Sequence, residues 1–505
     1  MPAQSQIEFP ACCPQGYHLP ETVGQQDPGA QRRRATQSVR GPGCKLSDMA
    51  VPNPQNNEAG RRQFLKLAGA AALTAKSYAR VLGANDRIRL AQLGCGGRGG
   101  GHIHMVHMAS RLTPVEMVAV CDIWSVARER RAKQVKDLFG AEPAVFKYSE
   151  EMLSRPDIDG VMIATGDFQH AKLCIDVVQA GKDCYVEKPF ANVLEEAKAA
   201  RKAVKASSQV VQMGTQHRSQ PYPLAVRDLI RSGRIGDVVR ITQEWNTNQP
   251  RWRNKRGVDD GQHPPLLKEA DTDWKRWLLG KPDRPFDPHV YLEFRLYRDF
   301  SSGIFDQWLS HGSDLVHLWT GESFPVSAVA AGGVLTWKDG RENPDNATVS
   351  VLYPKGFLYT YTTSFSNSYR SFSRIYGRDG TIENYGGEGA SLFVVTREGG
   401  RHEADPESAS GPFYTAPPGM GPEADKAEII KLPDAPAPNS RGPSDDDVNH
   451  LMNWLNAMRA RTQPNATVEH GFSHAIVCIM AAQSYWSGKR LYWNPATEEI
   501  VDHAV

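Results

Sequence analysis

Neither acid nor base predominates in this 505-residue chain: 59 lysines and arginines face 57 aspartates and glutamates, for a formal charge of +2. So small an excess cannot gather phosphates over a surface, and nucleic acid is excluded as a partner. Paired cysteines are missing too. The eight, at Cys12, Cys13, Cys44, Cys95, Cys121, Cys174, Cys184 and Cys478, show none of the C-x-x-C spacing of a structural zinc site or a redox dithiol. Cys95, Cys121 and Cys184 fall in or beside apolar strand-like runs, where a thiol packs as a small hydrophobe, so no oxidising compartment is demanded. The apolar stretch from Leu67 to Ala75 falls well short of the about 20 residues that cross a bilayer. No transmembrane span is expected.

What is present divides the chain unevenly. Residues 1–58 are rich in Pro, Gln, Gly and Arg without helical or strand periodicity, which reads as a disordered extension. Residues 59–84 begin with Gly60-Arg61-Arg62-Gln63-Phe64-Leu65-Lys66 and continue into the short apolar run, a pattern that resembles a twin-arginine export signal and linker. Translation from Met49 would place the arginine pair near the amino terminus, as such a signal requires. Export to the periplasm is the expectation, and a cytoplasmic location if the signal does not function.

From Ile88 the chemistry becomes specific. The strand Ile88 to Leu93 runs into Gly94-Cys95-Gly96-Gly97-Arg98-Gly99, a G-x-G-x-x-G loop. Gly94 permits the tight turn, Gly96 the approach of a pyrophosphate, and Gly99 the close packing of the following helix, whose amino terminus then faces the phosphates. A second strand, Glu116 to Cys121, ends in Asp122, 23 positions beyond Gly99. An acid there accepts hydrogen bonds from ribose hydroxyls and repels a 2′-phosphate, favouring NAD over NADP. Strands at Gly160 to Thr165 and Cys184 to Val186 alternate with a helix stopped by Gly181, so residues 85–212 are predicted to be a Rossmann domain with a doubly wound parallel sheet. Glu187-Lys188-Pro189 lies at the carboxyl edge of that sheet.

These motifs resemble the Gfo/Idh/MocA family, the relatives of glucose-fructose oxidoreductase and inositol dehydrogenase, over roughly residues 86–497. The resemblance rests on the glycine loop, Asp122, Thr165-Gly166-Asp167-Phe168-Gln169-His170 (similar to A-T-P-x-x-x-H, with Gly166 in place of proline) and Glu187-Lys188-Pro189. It implies a C-terminal α/β domain over residues 213–505 with an open, mostly antiparallel sheet, a homo-oligomer, and hydride transfer between NAD and a sugar, inositol or related polyol. It also implies that Lys188 is catalytic and that Thr165, His170, Glu187 and Pro189 help hold the cofactor. Segments Val238 to Trp245, Ala347 to Tyr353, Phe357 to Ser364 and Ser373 to Tyr376 read as strands, Gly387 to Asp447 as surface loop, and Asp447 to Arg459 as a closing helix.

The family's second cluster, D-x-x-x-H-x-x-D, meets Asp306-Gln307-Trp308-Leu309-Ser310-His311-Gly312-Ser313-Asp314. His311 and Asp314 match, but the first aspartate falls on Gln307, with Asp306 one position early. Gln307 can bind a hydroxyl but cannot take its proton, which leaves Lys188 or His311 as base unless a local bulge turns Asp306 inward. His311 is expected as general acid/base, with Asp314 orienting it. Gln216, His217, Arg218 and Trp245 are candidates for substrate contact. His311, Asp314 and His317 also spell H-x-x-D-x-x-H, but six helical positions span about 240°, too wide for a common ligand face, and no metal is expected. Two alternatives stay open: a redox-neutral enzyme with retained NAD, either a sugar-sugar oxidoreductase or an NAD-dependent glycosidase, and a non-catalytic sugar-binding protein.

Overall fold

The structure is a computed structural model and describes residues 87–249, 267–369, 371–384, 392–397, 428–431 and 445–505. The extension 1–58 and the signal-like segment 59–84 lie outside the described residues, as does most of 387–444.

Six parallel strands form the first sheet: β1 (Ile88–Leu93), β2 (Val115–Cys121), β3 (Ala144–Phe146), β4 (Gly160–Ile163), β5 (Asp183–Glu187) and β6 (Val211–Gly214), in the order β3-β2-β1-β4-β5-β6. Strands β4, β5 and β6 are buried along their whole length, because helices cover both faces. Helices α1 (Gly97–Ala109), α2 (Ser125–Phe139), α3 (His170–Gln179) and α4 (Leu194–Lys205) supply much of that cover. The order reverses between β1 and β4, opening a crevice beyond the strands' carboxyl ends where a ligand fits.

Ten strands form the second sheet. They are β7 (Val238–Asn246), β8 (Ser327–Gly333), β9 (Asn346–Leu352), β10 (Leu358–Ser364), β11 (Phe372–Gly377), β12 (Gly380–Asn384), β13 (Leu392–Arg397), β14 (Glu428–Lys431), β15 (Leu491–Asn494) and β16 (Glu499–Val501), ordered β14-β13-β12-β11-β7-β10-β9-β8-β15-β16. Only β7 and β10 pair in parallel among them. Burial alternates residue by residue along β9 and β10: Val349, Val351, Tyr359 and Tyr361 face the core, while Thr348, Ser350, Thr360 and Thr362 face outward. The mostly antiparallel sheet expected from the resemblance is present. Two of its strands, β13 and β14, fall inside Gly387 to Asp447, the segment expected to be surface loop.

Helix α5 (Ser310–Thr320) carries the second motif, while α6 (Asp445–Ala460) and α7 (Val468–Ser487) close the chain. The helix expected to end the fold is therefore followed by a longer one and by two strands. Nor does α6 stay with the second domain. Its Leu451, Trp454 and Leu455 pack with Leu90, Ile103 and Tyr185 of the first, Trp454 Nε1 donates to the Val210 carbonyl at 3.1 Å, and Gln212 Nε2 donates to the His450 carbonyl at 2.7 Å. Helix α7 lies so close to β6 that a Cβ on Gly471 would come within 2.6 Å of Met213 Sδ. Strand β6 (Val211–Gly214) runs across the division expected at residue 212, and α6 packs across it as well.

Candidate active site

The glycine loop has no room for a larger residue at Gly94 or Gly99. Gly94 has φ +90°, and a Cβ there would lie 2.5 Å from the Ala164 carbonyl; a Cβ on Gly99 would lie 2.0 Å from the Gly94 carbonyl. Gly96 and Gly97, by contrast, have nothing within 4 Å of that point and face open space. From beneath, Arg131 donates to the carbonyls of Cys95 (3.2 Å) and Gly96 (2.9 Å), holding the loop in shape.

Beyond the loop lies a crevice of about 2020 Å³, walled by both domains. Asp122 sits on its first-domain wall, accepting from the backbone N–H groups of Cys95 at 2.6 Å and Trp124 at 2.8 Å. Burial raises its pKa, and those two N–H groups work against the rise. Arg128, which could have served a 2′-phosphate, instead donates to the Asp122 carbonyl. Thr165 and His170 also line the crevice. Thr165 Oγ1 and His170 Nε2 are buried without a hydrogen-bond partner, while His170 Nδ1 donates to the Pro189 carbonyl at 2.7 Å. Open glycines beside unsatisfied polar atoms are what a dinucleotide needs, and the cavity fits NAD.

Glu187 lines the crevice but is held from behind. Arg98 Nε donates to its Oε1 at 2.6 Å, His102 Nε2 lies at 2.9 Å and Gln216 Nε2 at 3.4 Å. Burial alone would raise its pKa; the Arg98 charge and the His102 contact outweigh that and hold it well below the usual carboxylate range. The carboxylate thus anchors the lysine that follows it. His102 is completely buried between Glu187 and Gln92.

Lys188 Nζ donates to the Gln307 carbonyl at 2.7 Å and lies 3.5 Å from Gln307 Oε1. Gln307 belongs to a π-helical turn, Phe305–Leu309, that leads into α5. Entry to this turn depends on Gly303, whose φ is +61° and whose Cβ would meet Asn343 at 2.7 Å. The wide turn brings both Asp306 and Gln307 inward, but only Gln307 reaches the crevice.

Asp306, expected as a possible catalytic group, is completely buried behind the crevice wall; its Oδ2 accepts from the Ser302 N–H at 2.5 Å. Burial, reinforced by the nearby charge of Asp167, pushes its pKa up to about 7. Asp167, one residue of the motif at 165–170 in the sequence, stands at the centre of this cluster, accepting from Ser301 Oγ at 2.8 Å, from Gln307 Nε2 and from Arg295 Nη2 at 3.3 Å. No spacing rule links residues 167, 301 and 307, so folding alone reveals the group.

His311 lines the crevice, its Nδ1 buried without a partner. Burial first, then the Lys188 charge, pushes its pKa well below the usual imidazole value, so the ring is neutral. Asp314 does not orient it. Both Asp314 oxygens accept from Arg218 Nε, at 2.8 and 2.9 Å, with the two side chains buried together one helical turn further on. Arg218 is thereby removed from the substrate side as well. His217 lies edge-on against the His311 ring, centroids 5.0 Å apart, and Trp245 stacks on Trp308; both border a separate cavity of about 50 Å³ behind His311 rather than the crevice. Of the four proposed substrate contacts from residues 216–245, Gln216 alone lines the crevice.

Fold and crevice together define an NAD-binding oxidoreductase of two domains. Residues 88–215 match the GFO_IDH_MocA model, described as an oxidoreductase family with an NAD-binding Rossmann fold, and residues 282–492 match the model of that family's C-terminal alpha/beta domain. Between them the two span more than half the chain, which belongs to the Gfo/Idh/MocA family and uses NAD as its cofactor. The chain is 33% identical to an inositol 2-dehydrogenase of Rubrobacter xylanophilus over 170 residues, 33% of this chain and 46% of that protein. It is 29% identical to the inositol 2-dehydrogenase of Rhizobium meliloti over 325 residues, 63% of this chain and 79% of that one. Among solved structures, levoglucosan dehydrogenase in complex with NADH and levoglucosan superposes with a TM-score of 0.58 at 17% identity, over 80% of this chain and 99% of that one, a likeness of fold.

Proposed function

We propose that this protein interconverts a secondary alcohol and a ketone on a sugar, inositol or related polyol. The observation that carries the proposal is the meeting of Lys188, Gln307 and neutral His311 on a crevice that starts at the glycine loop. NAD, when bound, supplies the hydride acceptor. Lys188 donates a hydrogen bond to the reacting oxygen, and His311, kept neutral by burial and by the lysine charge, receives the hydroxyl proton as the hydride departs. Glu187, fixed by Arg98 and His102, holds Lys188 in register. The test is to add inositols and aldoses to protein with NAD and follow the absorbance of reduced nicotinamide; absence of turnover across both classes would refute the proposal.

A second reading concerns the fate of the cofactor. Tyr148 Oη donates to Asp273 at 3.0 Å, Arg276 pairs with Glu150, and Gln169 Nε2 donates to the Trp277 carbonyl at 2.7 Å, so bonds join the two banks of the crevice. These ties favour NAD retained between turnovers, as a redox-neutral cycle would require. Export through the arginine pair at 61 and 62 is part of the same proposal, tested by finding the protein in the periplasmic fraction and losing it there on Arg61→Lys with Arg62→Lys.

A further inference from the structure

The amide of Gln307 is caught between opposite charges. Its Nε2 donates to Asp167 Oδ2, and its Oε1 lies 3.5 Å from Lys188 Nζ. Turning the amide over would set its oxygen against a carboxylate and its NH₂ against an ammonium, so one orientation alone satisfies both neighbours. The anchor itself is fixed. Asp167 is completely buried and its two oxygens are held by Ser301 and Arg295. Gln307 has a mobile side chain by nature, but here it is clamped at its far end and lines the crevice as an acceptor.

We propose that Asp167 is a positioning residue that locks Gln307 with its oxygen toward the crevice, so that the site selects a polyol bearing a hydroxyl next to the reacting carbon. This rests on the polyol oxidoreductase reading above. A ketone product has no hydrogen to give Gln307 Oε1, and Oε1 has none to give the ketone, so the group suited to it is a neighbouring hydroxyl that keeps its proton throughout. Gln307 thus transfers no proton; it distinguishes a vicinal diol from an isolated alcohol.

Three variants test the lock: Asp167→Asn, Gln307→Glu, and the two combined. Asp167→Asn removes the charge and one of the two acceptor oxygens, so the amide is held less firmly and in either orientation, and kcat/KM for inositols or aldoses falls about 10-fold, the lower end of the range for weakening a hydrogen bond to a charged group. NAD affinity, read by titration calorimetry, is unchanged. Gln307→Glu sets two buried carboxylates face to face and loses activity most at high pH. In the double variant the amide and carboxylate exchange places, Asn donating and Glu accepting, and both kcat/KM and melting temperature recover toward wild type. A deoxy analogue lacking the adjacent hydroxyl loses rate with the wild type but little more with Asp167→Asn. Wild-type kcat/KM in Asp167→Asn, or a double variant as poor as the worse single one, overturns the inference. If the wild-type protein turns over no polyol, the functional reading fails instead. The melting-temperature cycle needs no substrate, and simply additive shifts there overturn the lock on their own.

Discussion

Arg218 grips Asp314 through two nitrogens: Nε lies 2.8 and 2.9 Å from the two carboxylate oxygens and Nη2 donates to the Asp314 backbone carbonyl at 3.4 Å, with both side chains shut away from solvent. Burial opposes ionisation of Asp314, but the Arg218 charge, with His474 Nδ1 at 3.9 Å, outweighs it and holds the carboxyl well below its usual range. Arg218→Ala strands that charge and is expected to cost about 3–5 kcal/mol of stability in urea unfolding. Because the folded pKa is depressed, the pair's contribution is present above the unfolded value near 3.8 and fades as pH falls below it. Loss of turnover with unchanged stability would mean that Asp314 belongs to the catalytic group after all.

Asp306 has the opposite sign. Its pKa is raised from 3.8 to about 7, so the stability it brings is complete below pH 3.8 and is lost as pH rises through 7. Asp306→Asn keeps an acceptor for the Ser302 N–H without the charge. Above pH 7 the variant is expected to be more stable than wild type, by on the order of 4 kcal/mol for a shift of about three units, and the difference should vanish toward pH 4. Parallel stability curves across that window would contradict the assignment.

Lys188→Ala is expected to lower kcat by about 10²- to 10⁴-fold, the range for a group that handles the proton of a reacting oxygen. NAD binding should survive, since the glycine loop, Asp122 and Thr165 are untouched. Equal loss of cofactor affinity and rate would place Lys188 in binding alone.

The ties across the crevice predict slow cofactor exchange. Tyr148→Phe combined with Asp273→Ala removes one of them, and release of bound NAD, followed by chromatography after rapid buffer exchange, should quicken about 10-fold, the equivalent of one modest hydrogen bond. Release that is already fast in the wild type would count against retention.

The first domain was legible because its chemistry is local: a strand, a glycine loop and a helix lie consecutively between Ile88 and Ala109, and Asp122 follows at a fixed distance. Lys188 and His311 were legible through motifs. The rest depends on contacts across hundreds of residues. Asp167 meets Gln307 across 140 positions, and Trp454 meets Val210 across 244. Asp314 was misjudged because helical spacing from His311 is visible in sequence, whereas the guanidinium that claims it lies 96 positions away. A local bulge that turns Asp306 inward was left open by the sequence; the π turn at Phe305–Leu309 does turn it inward, but buries it away from the crevice.

Trp454 offers a measure of how the halves depend on each other. Trp454→Ala empties a completely buried site beneath β1 and β5 and is expected to cost about 3–5 kcal/mol, with NAD affinity falling in step.

Helix α6 also sets an order of events during synthesis. The glycine loop leaves the ribosome well before α6, so the face of the sheet that α6 covers stays bare until residues 445–460 have been made. Leu90, Ile103 and Tyr185 must wait for Leu451, Trp454 and Leu455 to shield them. A ribosome that stalls or a message cut short before α6 therefore yields a nucleotide fold lacking one wall, with apolar surface open to chaperones and proteases, so a finished cofactor domain certifies that translation has passed residue 460.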